Sequence, residues 1–177
     1  MGLRDRIGGG GGGGGGGPTH YQMQQKLFSI GDDAWITDEA GNRFFKVDGK
    51  ALRARSTFIL EDANGAEVAS IQERMLRVRD TMEIERGGAK IATIKKAMIA
   101  PLRERYDIDL AGRGSWDAQG NIVDHEYKIS SGRDQIAEVS KKWVRVRDTY
   151  AVEVQPGQDV GLVLAIVAAI DEMRGAG

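Results

Sequence analysis

From Tyr21 onward, apolar and polar residues alternate in short runs instead of recurring at helical spacing. In the run from Thr81 to Glu85, Met82 and Ile84 fall on one side of an extended chain, and Glu83 and Glu85 on the other. Such runs, rich in β-branched and aromatic residues, predict strands over 34–37, 43–47, 57–61, 67–73, 82–86, 90–95, 105–110, 122–129, 135–142 and 150–154. Turn-forming clusters separate them: Asp38-Glu39-Ala40-Gly41-Asn42, Asp62-Ala63-Asn64-Gly65, Gly87-Gly88, Gly112-Arg113-Gly114, Asp117-Ala118-Gln119-Gly120-Asn121 and Ser130-Ser131-Gly132.

The pattern changes after Pro156-Gly157. Residues 159–173 read as a helix, with Asp159 placed to accept bonds from the first free backbone N–H groups. From Val160 to Ile170 this helix has no charge and is apolar on every side, so it must be buried all round. The apolar stretch is about eleven residues, against roughly twenty needed to cross a bilayer. Asp171, Glu172 and Arg174 close it.

The chain also repeats itself. Arg77-Val78-Arg79-Asp80-Thr81 recurs as Arg145-Val146-Arg147-Asp148-Thr149. At the same offset Ala69 meets Ala137, Ile71 meets Val139, Met82 meets Tyr150, Ile84 meets Val152 and Glu85 meets Glu153. Asp38–Asn42 also resembles Asp117–Asn121, at a different offset. Two copies cannot build a solenoid, but they can close one barrel. The expected fold is therefore mainly β: a closed barrel of about twelve strands, made of two related halves around a central hydrophobic C-terminal helix.

Ahead of this domain, assigned to residues 19–177, the segment 1–18 carries ten consecutive glycines from Gly8 to Gly17. Such a run buries nothing and predicts a disordered tether. Its formal match to a phosphate-binding glycine motif has no preceding strand to support it. The residues from Met1 to Ile7 have no apolar core of a secretory signal.

Composition excludes more than it assigns. The net charge is −1, from 25 basic and 26 acidic residues, which argues against a dedicated nucleic-acid binder. With no cysteine there is no disulfide, thiolate nucleophile or Cys-ligated zinc, and a cytoplasmic setting fits. The two histidines, His20 and His125, are far apart in sequence and make a poor metal site, and His125 is assigned a structural or surface role. Ser130 and Ser131 fall in a turn signal, and no nucleophile elbow is present. No catalytic residue, metal site or cofactor is expected.

The order of several short motifs resembles the LURP-one-related family. They are Gln25-Lys26-Leu27, Trp35-Ile36-Thr37-Asp38, Phe45-Lys46-Val47 with Gly49-Lys50, and Asp124-His125-Glu126-Tyr127-Lys128-Ile129. Ser140-Lys141-Lys142-Trp143, Asp148-Thr149-Tyr150, Pro156-Gly157-Gln158-Asp159 and the apolar helix from Leu164 to Asp171 complete the set. The resemblance implies a twelve-stranded barrel around a central helix, with no catalytic residues to carry over. It also implies kinship with the Tubby C-terminal-like superfamily and the phospholipid scramblases, hence lipid binding or lipid movement as expectations. The cysteine-rich and acidic calcium-binding segments of scramblases are absent.

The candidate surface follows from charge. Lys95, Lys96, Arg103 and Arg105 bracket the apolar stretch 97–102 and could meet an anionic membrane, with Lys141 and Lys142 as a weaker second patch. The Arg-Val-Arg-Asp-Thr pair, read as extended with its arginines on one face, is explained by duplication without any function. The leading expectation is a non-enzymatic module, cytoplasmic or peripheral at the membrane, that engages an anionic membrane lipid or a protein partner. The alternatives are a scramblase-like protein and a small-ligand binder or enzyme with a loop-built site.

Overall fold

Alternation is converted directly into a wall with two faces. The computed structural model describes residues 16–25, 33–48, 57–73, 81–97 and 104–175. They form twelve strands and one helix: β1 Thr19–Gln24, β2 Ala34–Asp38, β3 Arg43–Asp48, β4 Thr57–Asp62, β5 Glu67–Glu73, β6 Thr81–Arg86, β7 Ala89–Ala97, β8 Glu104–Asp109, β9 Ser115–Asn121, β10 Glu126–Ser131, β11 Asp134–Ser140, β12 Thr149–Val154 and α1 Val160–Gly175. Every strand pairs antiparallel with its sequence neighbours, and β1 pairs with β12 from Thr19↔Val154 to Gln24↔Thr149, closing the barrel. The β1–β2 ladder is short, Tyr21↔Asp38 and Gln22↔Thr37, but it completes the ring, so none of the twelve is an edge strand.

Inward positions are apolar: Met23, Ile36, Val47, Phe58, Leu60, Ile71, Ile84, Ile94, Ile108, Ile129, Val139 and Val152 are all buried. Inside them lies α1, in which every residue from Leu162 to Ile170 is at most 2% exposed. A sixteen-residue helix is about 24 Å long at 1.5 Å per residue. Each fully buried Leu, Ile or Val contributes about 1.5–3 kcal/mol, so wall and filling stabilise each other.

The duplication is present in hydrogen-bond register. Strand β5 pairs with β6 as Ser70↔Glu85, Ile71↔Ile84 and Gln72↔Glu83. Strand β11 pairs with β12 as Glu138↔Glu153, Val139↔Val152 and Ser140↔Ala151. Each pair is the other displaced by the offset seen in the sequence, six strands round the barrel.

Two sequence expectations are corrected. Asp38–Asn42 is the β2–β3 turn, held by Asp38 Oδ1 accepting from Asn42 N–H at 2.8 Å. Asp117–Asn121 is not its counterpart but lies within β9. Gly120 is there for close approach: at φ +142 a Cβ would sit 2.6 Å from the Glu126 carbonyl oxygen and 2.7 Å from Tyr127 Cα. The actual turn is 122–125, so the strand expected over 122–129 begins at Glu126. Strands β1 and β9 have no counterpart among the runs picked out by alternation. The first copy of the arginine motif, residues 77–80, and most of the glycine tether, residues 8–15, lie outside the described residues, as do Met1–Ile7, Lys26, Leu27, Gly49, Lys50 and the stretch 98–103 that includes Arg103.

Helix α1 is fixed at its entrance. Asp159 Oδ1 accepts from Leu162 N–H at 3.0 Å, so Asp159 is the cap and the helix starts one residue later than the expected 159. Arg86, at the end of β6, grips the same carboxylate at 2.7 and 3.1 Å and also donates to the Val68 carbonyl. The hydrogen bond from Arg86 holds the Asp159 carboxyl below its ordinary range, and Asp159 raises Arg86 in return. Gly161 lets the helix slip past β5, because a Cβ there would lie 2.5 Å from Val68 Cγ1.

Candidate functional site

In an antiparallel meander, alternate connections share one end. The β9–β10 turn, the β11–β12 connection, the last residues of β7 and the first of β8 therefore lie opposite the end where α1 enters. There the last turn of α1 meets polar side chains. The Tyr150 hydroxyl donates to Asp171 Oδ2 at 2.5 Å, and His125 Nε2 lies 3.2 Å from Asp171 Oδ1. The His125 ring stacks on Tyr150 with centroids 4.3 Å apart. Arg174 donates through Nη1 to the Val123 carbonyl at 3.0 Å, and its Nη2 is 3.4 Å from His125 Nε2. Burial, then the Asp171 charge, raises the Tyr150 and Tyr127 hydroxyls well above 10.0, so both remain protonated.

This cluster contains a His–Asp contact but not the geometry of a nucleophilic site. Asp171 and Arg174 meet the same ring nitrogen of His125, and Nδ1 is buried without a hydrogen-bond partner among the described residues. His125 and Asp171 side chains are 1% and 3% exposed, so no substrate reaches them. What the arrangement does is tie the helix end to β12 and to the β9–β10 turn. His125 sits in the β9–β10 turn at φ +57.

Next to this cluster, at the β1–β12 seam, lies a cavity of about 500 Å³ lined by Gln24, Gln25, Val146, Arg147, Asp148, Thr149 and Arg174. Backbone bonding shapes it: Gln25 N–H donates to the Asp148 carbonyl at 2.7 Å, and Asp148 turns the chain at φ +59. Residues 145–148 thus lie in the β11–β12 connection, between the two expected strands, and Val146 is 65% exposed beside the cavity. The side chains offer two guanidinium groups, one carboxylate, two amides and a hydroxyl. Such a lining suits a small anion-bearing ligand.

The surface expected from sequence is at the same end but largely neutralised. Lys96 Nζ pairs with Glu104 at 3.0 Å, and Arg105 Nε with Asp107 at 2.8 Å. Lys95 is exposed and sits across the ladder from Asp107. Lys142 pairs with Glu138 at 2.6 Å and lies 4.2 Å over the Trp143 ring, while Lys141 uses its backbone N–H to bond Glu126. Among the described residues no group of three or more His, Asp or Glu side chains gathers as metal ligands, and no helix is long and apolar enough to cross a membrane.

Sequence reasoning did not single out Gln24, Gln25, Arg147 or Arg174 as one site. The available signal was the charged trio ending an otherwise uncharged buried helix.

A family model described as LURP-one-related matches residues 19–171. The uncharacterized protein YxjI of Bacillus subtilis (strain 168) is 26% identical over 149 residues, spanning 84% of this chain and 90% of that protein. Protein LURP-one-related 15 of Arabidopsis thaliana is 22% identical, spanning 89% and 81%. The X-ray structure of an Arabidopsis thaliana protein superposes with a TM-score of 0.66 at 20% identity, covering 89% of this chain and 93% of the other.

Proposed function

The chain belongs to the LURP-one-related family, and from that premise we propose that it is a non-enzymatic binding module that docks on an anionic membrane with the barrel end opposite the entrance of α1. One observation carries the reading: the exposed apolar residues of that end. Val123 and Val146 are 56% and 65% exposed and flank Arg174, Val123 through its carbonyl and Val146 through the shared cavity. Lys95, Lys141 and Arg145 stand at the same end and make no ion pair with a described carboxylate. Apolar tips entering the acyl boundary between cations that meet headgroups are a standard means of peripheral attachment. Lys96, Arg105 and Lys142 support the surface less, since each already has a carboxylate partner.

The buried Tyr150–Asp171–His125 cluster fits a rigid scaffold better than an active site, and α1 fits a core better than a bilayer anchor. Co-sedimentation of the full chain with phosphatidylcholine vesicles, with and without phosphatidylglycerol, tests the reading at low and physiological salt. Binding to the anionic vesicles only, lost in the Val123→Asp/Val146→Asp double variant, is expected. Equal recovery with both vesicle types, or a double variant that binds as well as the parent, sinks it.

A further inference from the structure

The cavity has its own chemistry, distinct from the docking surface around it. Arg147 is exposed and makes no side-chain hydrogen bond or ion pair with a described residue. Arg174 places one Nη1 bond on Val123 and one Nη2 contact on His125, which leaves three of its five N–H donors. One of these, Nε–H, is buried beyond the reach of a cavity ligand, so two Nη donors remain for one. The Gln24 and Gln25 amides supply uncharged donors from β1, and Thr149 supplies a hydroxyl. Asp148 is the single carboxylate of the lining, beside two arginines. Its volume, about 500 Å³, falls within the ~300–1,000 Å³ of small-molecule sites, large enough for a phosphate with a substituent.

The geometry points to a site for a phosphate monoester, held between the Arg147 and Arg174 guanidinium groups. A terminal phosphate monoester carries up to two charges and three oxygens, matching two forked cations, whereas a phosphodiester offers one charge and two free oxygens. The ester is either a soluble metabolite or the headgroup of a lipid; the second case rests on the membrane reading above, and the first does not.

The test has two arms, both on the full chain. Calorimetry with myo-inositol monophosphate probes a soluble ester. Co-sedimentation with vesicles of phosphatidylcholine plus phosphatidate, against phosphatidylcholine plus phosphatidylglycerol at matched charge, probes a headgroup. Saturable binding in the first arm, or preference for the monoester lipid in the second, is expected. Arg147→Gln should weaken the soluble ester about tenfold, the scale of one lost charge-assisted bond, or abolish the lipid preference. Arg147→Lys should recover part of either. The preference is the decisive readout, because general loss of charge lowers binding to both lipids alike. Equal binding to the two anionic vesicles, unaffected by Arg147→Gln and with no soluble binding, overturns the cavity while leaving membrane docking in place. Binding in neither arm removes both.

Discussion

The Tyr150 hydroxyl donates to Asp171 Oδ2 at 2.5 Å, joining the last strand of the wall to the helix inside it. Both groups are buried, so neither finds water as a substitute. Tyr150→Phe should therefore lower the unfolding free energy in urea by about 1–3 kcal/mol at neutral pH, the cost of a buried partner left unsatisfied. No change would mean that Asp171 is held adequately by His125 alone. The same bond gives an alkaline limit. Burial, then Asp171, raises the folded Tyr150 above 10.0, so the unfolded chain releases this proton first and stability falls as pH rises past 10.0. That decline should be shallower in Tyr150→Phe.

Gly161 faces Val68 where α1 enters the barrel. In an open helix, Gly→Ala gains roughly 1 kcal/mol. Here the new methyl would be 2.5 Å from Val68 Cγ1, and β-branched valine is stiff. Gly161→Ala should lose about 1–3 kcal/mol, and Val68→Ala in the same chain should restore most of it. A double-mutant cycle with no coupling would contradict this packing.

The Arg86–Asp159 clamp predicts an acid response. Asp159 is held below 3.8 in the fold, chiefly by the Arg86 hydrogen bond, so its contribution is present above 3.8 and is lost as pH falls through the lower folded value. Asp159→Asn keeps the cap and removes the charge. Both clamp side chains are about 40% exposed, so solvent screening limits the neutral-pH loss to about 0–1 kcal/mol. The gap from the parent should close below pH 3.8. Asp159→Ala should cost about 1 kcal/mol more, through loss of the cap. A gap that persists into acid would point away from the ion pair.

Two glycines separate conformational from steric demand. Gly65 sits at φ +84 with nothing within 4 Å of an added Cβ, so Gly65→Ala should cost only the strain of its backbone, about 1 kcal/mol. Gly120 at φ +142 meets the backbone of Glu126 and Tyr127, which cannot yield as a side chain can. Gly120→Ala should lower the melting temperature markedly more than Gly65→Ala, and equal shifts would refute the close approach of β9 and β10.

The barrel and its helix were legible because both rest on local rules. Alternation such as that of Met82 and Ile84 sets the wall, and an uncharged all-round apolar run can only be a buried helix. The missed strands show where those rules stop. In β9 the sequence from Asp117 to Asn121 has turn chemistry, yet Gly120 serves close strand contact and the chain turns only afterwards. The basic patch was legible as charge but not as neutralised charge, because Glu104 and Asp107 reach Lys96 and Arg105 through strand pairing and side-chain placement that composition does not reveal. The cavity was harder still. Gln24, Arg147 and Arg174 come from β1, the β11–β12 connection and the end of α1, and only closure of the seam brings them together.

That closure has a consequence for how the molecule is made. The seam joins strands more than a hundred residues apart, and α1 follows all twelve strands in the chain. On a ribosome, the wall emerges first, with its inner face wet and nothing to wrap around. Its strands can gain little by pairing early, since the surface that rewards them is still unmade. Folding should therefore wait for the final turn of α1 and then proceed as one event, leaving nascent chains dependent on protection until the plug arrives.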